Sequence, residues 1–151
     1  MNTIRKATID DLQSLAILFD GYRAFYEMKS DLKAATTFLE QRIINKESEI
    51  FVAVKEDGTL TGFIQLYPLF SSTQMKRLWL LNDLFVDLAY RGQGISKLLL
   101  QQGQAFCEQT GGFALLLETA KTNVIGNQLY PAAGFVLDKE HNYYTWNPKT
   151  Q

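Results

Sequence analysis

The chain has 151 residues and a formal net charge of −1, from 15 basic and 16 acidic side chains. That length suits one domain burying roughly 68–70% of the surface of its unfolded chain, and the balanced charge offers no uniform field to a polyanion, which excludes nucleic acid as an expected partner. With 46% apolar residues, 21% charged residues and three prolines, the composition is soluble and globular rather than disordered or fibrous. Cys107 is the only cysteine, so an intrachain disulfide is excluded. The first residues lack a basic-then-apolar leader pattern, and no apolar run approaches the roughly 20 residues of a membrane span. The expectation is therefore a cytoplasmic protein without a membrane partner.

Residues 2–6 read as a short strand. Thr8 with Asp11 makes a capping signal ahead of Leu12, Leu15, Ala16, Phe19, Tyr22, Arg23 and Tyr26, whose spacings of three and four predict a helix. A second helix is expected over about Asp31–Lys46, with Leu32, Ala35, Leu39 and Ile43 inward. Residues 50–55 and 60–67 flank the turn Glu56-Asp57-Gly58 and read as a hairpin. Pro68 with Ser71-Ser72 marks a loop. Lys76–Val86 is an almost unbroken apolar and aromatic run, expected as a central strand buried on both faces. After a glycine-bearing turn, Ile95, Leu98, Leu99, Ala105 and Phe106 carry helical spacing to the stop at Thr110-Gly111-Gly112, and Phe113–Leu117 reads as a second buried strand. Asn123 is expected to cap a short helix ending near Ala132. Phe135–Leu137 with Asn142–Trp146 reads as a closing strand pair. No internal repeat or low-complexity segment is visible.

The turn Arg91-Gly92-Gln93-Gly94-Ile95-Ser96 stands between a buried strand and an apolar helix, where unpaired N–H groups and the helix dipole make an anion site. Each dipole contact contributes only about 0.3–1 kcal/mol at an exposed site, so several N–H groups must converge, with Arg91, for useful affinity. A dinucleotide fingerprint would need glycine where Lys97 stands, and a nucleotide P-loop would need a Gly-Lys-Ser/Thr ending that is absent. By the turn alone, Gly92 and Gly94 serve equally well in a purely structural strand-to-helix connection.

Together with its strand and the later Asn123 and Tyr130, this turn resembles the acyl-CoA site of the GNAT N-acetyltransferase superfamily. The family signature is Gln or Arg, two residues, Gly, one residue, then Gly or Ala; Arg91, Gly94 and Ser96 occupy those places, with Ser96 departing by one hydroxyl group. Leu84-Phe85-Val86 is similar to the splayed strand that pairs with the pantetheine arm. Asn123 with Leu129-Tyr130-Pro131-Ala132-Ala133-Gly134-Phe135 is similar to the last block of the family. The resemblance implies an α/β, single-domain fold over residues 1–151, with a central mixed twisted sheet of about six to seven strands flanked by about four helices. It also implies acetyl-CoA as co-substrate, no metal, and a cofactor site of Phe85, Val86, Arg91, Gly92, Gln93, Gly94, Ile95, Ser96, Asn123 and Tyr130.

Amide formation sets the remaining chemistry. A lysine-like amine has a pKa near 10.4, so removing its proton at pH 7 costs about 4.6 kcal/mol, and a base or a water relay to one is useful. The leaving thiolate has a conjugate acid near pKa 8.5, so an acid would assist its departure by about 10²–10⁴-fold. By resemblance Tyr130 is that acid, and a backbone N–H of the splayed strand, that of Val86, meets charge developing on the thioester oxygen. Leu81-Asn82-Asp83-Leu84-Phe85-Val86 is similar to the corresponding strand of polyamine acetyltransferases, with Asn82 where those enzymes carry glutamate. Asp83 and Glu118 remain as candidate proton acceptors. His141, the only histidine, reads as a solvated loop residue.

The resemblance places the acceptor pocket at the first helix and the loop after it, where Tyr22, Phe25 and Tyr26 gather near Asn82 and Asp83; cation–π attraction there contributes about 0.5–2 kcal/mol per ring. Tyr22 and Phe25 also suit a purely core role. The acceptor is a primary amine of a polyamine-like molecule, an amino acid or a protein, and small members of the family are often homodimers. Two other readings stand beside it: a non-catalytic acyl-CoA-binding regulatory module, and a structural homo-oligomeric domain that binds no coenzyme A.

Overall fold

An antiparallel ladder runs through the first four strands in chain order: β1 (Asn2–Lys6), β2 (Glu49–Lys55), β3 (Leu60–Ser71) and β4 (Lys76–Val86), with β5 (Ala114–Leu116) joining parallel to β4. The helices are α1 (Leu12–Phe25), α2 (Leu32–Ile44), α3 (Ile95–Gln109) and α4 (Val124–Ala132). This computed structural model describes residues 1–149. It comprises two compact units, Met1–Glu118 and a second beginning at Thr119.

In the first unit the strand period of two sorts side chains onto two faces. Ile50, Val52, Val54, Phe63 and Phe85 pack with Leu12, Leu15, Ala16 and Phe19 of α1 and with Ala35 and Leu39 of α2. On the other face α3 lies close: a Cβ added at Gly62 would come within 3.3 Å of Leu99, and one at Gly103 within 3.2 Å of Ile64. The Phe106 ring packs edge-on to Phe51 at 5.3 Å and tilted against Trp79 at 4.9 Å. Each fully buried Leu, Ile or Phe stabilises the fold by about 1.5–3 kcal/mol. The capping signal holds, since the Thr8 N–H donates to Asp11 Oδ2 at 2.8 Å. Asp31 caps α2 by accepting from the Ala34 N–H at 3.0 Å.

Several expectations are corrected. Leu32, expected inward, is exposed; it is the first residue of α2, one turn ahead of the buried Ala35. Pro68 does not end its strand. β2 stops pairing at Glu49 with Leu66, while β3 continues to Ser71 against β4, so beyond Leu66 one edge of β3 lacks a β2 partner and tolerates a proline without an N–H. β5 is three residues long, and Phe113 and Leu116 are exposed, because it pairs with β4 alone.

The sheet has five strands rather than six or seven, since residues 135–137 and 142–146 form no strand. In the second unit the backbone is held locally. Phe135 N donates to Tyr130 O (3.0 Å) and Gly134 N to Pro131 O (3.0 Å), with Gly134 at φ 95°: a Schellman closure of α4. Asp138 then collects the N–H groups of Glu140 and His141 and the side chains of His141 and Tyr143. No helix among the described residues is long and apolar enough to cross a membrane.

Candidate active site

Gly92 and Gly94 both adopt left-handed φ, 77° and 76°, which glycine accepts without steric cost, and together they wrap the chain into the start of α3. Gly94 is the N-cap residue, and no side chain caps the helix. The first bond from within the helix back to the cap runs from Leu98 N to Gly94 O at 3.2 Å. The N–H groups of Ile95, Ser96 and Lys97 therefore precede the intrahelical ladder and carry the positive end of the dipole. A Cβ at either glycine would meet nothing within 4 Å. An uncapped helix start with clear space before it fits a pyrophosphate.

Beside this turn the sheet splays. β5 pairs with β4 only from Leu78 to Leu80, so β5 leaves the β4 edge from Leu81 to Val86 unpaired. Asp87 N donates to Thr61 O on the β3 side at 2.9 Å, and because successive residues alternate sides, the Val86 N–H faces the splayed edge. Arg91 is engaged at that same corner. Its Nε donates to Val86 O at 3.1 Å, and its guanidinium lies 5.0 Å from the Phe25 ring and 5.7 Å from that of Phe85. Arg91 ties the strand end to the turn and to α1.

The α1 face of β4 carries the second group. The register of β3 with β4 slips between Gln65 opposite Asp83 and Leu66 opposite Leu81, a bulge that leaves Asn82 as the extra residue and re-aims its neighbour. Asp83 is 4% exposed. Its Oδ2 accepts from Gln65 Nε2 at 2.6 Å, its Oδ1 from Asn82 Nδ2 at 3.1 Å, and Tyr22 hydrogen-bonds to it as well. Burial raises its pKa above the ordinary carboxylate value, opposed by those hydrogen bonds from Gln65, Tyr22 and Asn82. Nearby, burial and then the Asp83 charge push the Tyr67 phenol up to about 12.

The Tyr22 ring sits 5.1 Å from Tyr26, 5.9 Å from Phe63 and 6.1 Å from Phe85, so it joins both core and site. A groove of about 400 Å³ runs between α1 and the end of β4, lined by Leu18, Gly21, Phe25, Phe85, Asp87 and Leu88 among others. Phe25 and Tyr26 are exposed at its end of α1.

The loop after α1 is held by one carboxylate. Asp20 accepts from Ser30 Oγ (2.6 Å) and Asp31 N (2.8 Å), and Arg23 donates to Lys29 O (3.1 Å). The Ser30 and Asp31 hydrogen bonds lower the Asp20 pKa. A depressed folded-state pKa contributes stability above the unfolded value, near 3.9, that is lost as pH falls through the folded one. Hydrogen bonds to a charged group contribute about 1.5–3 kcal/mol each, so Asp20→Ala should speed amide exchange over residues 28–31 by at least about tenfold. The wild-type loop should loosen the same way only below about pH 4.

Glu118 is exposed and makes no side-chain hydrogen bond or ion pair among the described residues, unlike the buried and hydrogen-bonded Asp83. In the second unit, Asn123 Oδ1 accepts from Gly126 N (3.1 Å) while its Nδ2 donates to Thr119 Oγ1 (2.8 Å), the N-cap expected of it. Tyr130 lies in the last turn of α4 with its ring 5.8 Å from Phe135. Residues overlooked in the sequence are Gln65 and Ser48: a lone glutamine inside Phe63-Ile64-Gln65-Leu66 was the available signal. Among the described residues no cluster of three or more side chains is set to hold a metal.

Comparison with known proteins agrees with this geometry. Residues 15–135 match the Acetyltransferase (GNAT) family. The chain is 41% identical over 144 residues to an uncharacterized N-acetyltransferase of Bacillus subtilis, covering 95% of this chain and 96% of that one. A crystal structure of a probable acetyltransferase superposes with TM-score 0.94 at 37% identity over 99% of both chains. An aminoglycoside acetyltransferase from an uncultured soil metagenomic sample shares the fold, with TM-score 0.80 and 24% identity over 97% of both chains. Uncapped helix, splayed strand and these likenesses converge: the chain belongs to the GNAT family of acetyltransferases.

Proposed function

We propose that this acetyltransferase acylates a primary amine of a small cationic molecule, polyamine-like or an amino acid, by direct attack in a ternary complex. Acetyl-CoA, the co-substrate of this family, supplies the acyl group as a thioester. The N–H groups of Ile95 and Ser96, on the turn shaped by Gly92, Gln93 and Gly94, hold the pyrophosphate. Phe85 and Val86 line the pantetheine arm, and the Val86 N–H stabilises charge on the thioester oxygen. Asn123 shapes the start of α4, and Tyr130 protonates the departing sulfur. Asp83 takes the proton of the amine. Asn82 borders the acceptor, whose stem is held by Tyr22, Phe25 and Tyr26.

The observation that carries this reading is the uncapped start of α3 beside a strand edge that β5 leaves open. The preference for a cation follows from Asp83, a buried carboxylate whose hydrogen-bond partners are all neutral. Aminoglycosides, the acceptor class of the fold-mate, are amines of the same polycationic kind. Thiol release across spermidine, amino acids and a lysine peptide tests the proposal. The highest kcat/KM is expected on a small di- or polyamine. Equal rates on neutral acceptors would overturn the cationic specificity. Tight acetyl-CoA binding without thiol release on any amine would favour the non-catalytic module, for which Asn82 in place of a glutamate leaves room.

A further inference from the structure

We propose that Ser48, Gln65, Asp83 and Tyr22 form one hydrogen-bonded relay, in which Gln65 is a positioning residue for the Asp83 carboxylate and Tyr22 passes the proton of the acceptor amine to it. This rests on the assignment of Asp83 as proton acceptor above. Distant parts of the sequence meet here: the residue before β2, the bulge of β3 with β4, and the last turn of α1.

The directions of the bonds are set by which atoms can donate. Ser48 Oγ donates to Gln65 Oε1 at 2.7 Å, which fixes the Gln65 amide with its NH₂ group toward Asp83, 2.6 Å from Oδ2. Gln65 is fully buried, so its amide has no water to turn toward, and an inverted amide would set its oxygen against the carboxylate oxygen of Asp83. Oδ2 is thus held as an acceptor. Oδ1 accepts from Asn82 Nδ2, so each oxygen carries one neutral donor and the carboxylate keeps lone pairs to take a proton. Tyr22 supplies the route. Its phenol lies between the Asp83 carboxylate and the Asn82 carbonyl, the latter at 3.4 Å; having one proton, it gives it to the stronger acceptor, the carboxylate.

Tyr22 is half-buried and Asp83 almost wholly so. A carboxylate so enclosed exchanges protons with an incoming amine through a group that reaches both, and the Tyr22 oxygen is that group. The ring is clamped by Tyr26, Phe63 and Phe85, so the hydroxyl is held where it stands. Of the two protons an alkylammonium nitrogen loses in becoming an amide, one passes to the Tyr22 oxygen as the phenolic proton moves to Asp83, and later returns to solvent by the reverse path. The other ends on the departing sulfur as the C–N bond forms and the C–S bond breaks.

The titratable groups facing Asp83 are Tyr22 from α1 and Tyr67 from β3, the latter also influenced by Arg42 and Glu47; Gln65, Asn82 and Ser48 are neutral. Because the Gln65 hydrogen bond lowers the Asp83 pKa, Gln65→Leu should move the acid limb of the kcat/KM profile up by about one pH unit, about a tenfold loss on that limb. Ser48→Ala should move it the same way by less, and it reads the same relay should the Gln65 variant fold poorly. Tyr22→Phe, which keeps the ring packing, should lower kcat by about 10²-fold with the acetyl-CoA dissociation constant unmoved. Carbon-13 titration of the Asp83 carboxyl in wild type and Gln65→Leu reads the positioning effect without turnover, and an unshifted carboxyl overturns it. An acid limb unmoved in both Gln65→Leu and Ser48→Ala, or wild-type kcat in Tyr22→Phe, overturns the relay. If instead Asp83→Asn retains full turnover, the underlying assignment of Asp83 fails, and the relay with it.

Discussion

Replacing Tyr130 by phenylalanine should lower kcat by about 10²–10⁴-fold while the affinity for acetyl-CoA stays nearly unchanged. The substitution removes one hydroxyl and keeps the ring that packs on Phe135 at 5.8 Å. The closure of α4 through Phe135 N and Tyr130 O is a backbone bond, so the second unit should fold as before. A group that acts only as the sulfur departs contributes to the transition state and not to binding, so kcat and kcat/KM fall together. Thiol-release kinetics read the first quantity and calorimetric titration the second. Normal turnover would remove the acid role from Tyr130 and return it to packing alone.

Gly94→Val should act on binding instead. At φ 76° an L side chain costs about 1–2 kcal/mol, and a β-branched one is worse still. The added atoms meet no protein within 4 Å and stand at the N-cap position, next to the α3 N–H groups. If two or three dipolar contacts of about 0.3–1 kcal/mol each are lost, acetyl-CoA affinity falls by about three- to 150-fold. Gly58→Val is the matched control, since Gly58 has φ 86° and equally open surroundings in the turn from β2 to β3. Both variants should melt earlier to a similar degree, but only Gly94→Val should lose affinity by calorimetry. Equal affinity in the two would mean that the α3 start is not where the cofactor's anion sits.

Much of the fold is legible from period and punctuation. Leu15, Ala16 and Phe19 recur at helical spacing and are buried in α1; Asn123 and Asp31 cap the helices expected of them. These signals are local, and local geometry decides them. The misreadings occur where a partner is needed. Pro68 continues a strand because β4 is there to pair with it and β2 is not. Residues 135–137 and 142–146 alternate well enough to read as strands, yet form none, since a ladder exists only where another strand supplies its other half.

The candidate site divides the same way. Arg91 to Ser96 could be read as an anion-binding turn because its chemistry resides in consecutive backbone N–H groups, and the left-handed glycines and uncapped α3 agree with it. What Arg91 does with its side chain depended on Val86, Phe25 and Phe85, which only the folded chain brings to one corner. The choice between Asp83 and Glu118 was open in the sequence, where both are carboxylates near strand ends. Tertiary structure separates them: a bulge opposite Gln65 turns Asp83 inward to neutral donors, while Glu118 remains exposed. Residue type and spacing thus determined the glycine turn with its exposed N–H groups, a property of neighbouring peptide groups. Proton affinity is a property of burial and of partners distant in sequence, so the environment of Asp83 was decided only when the strands paired and α1 closed over it.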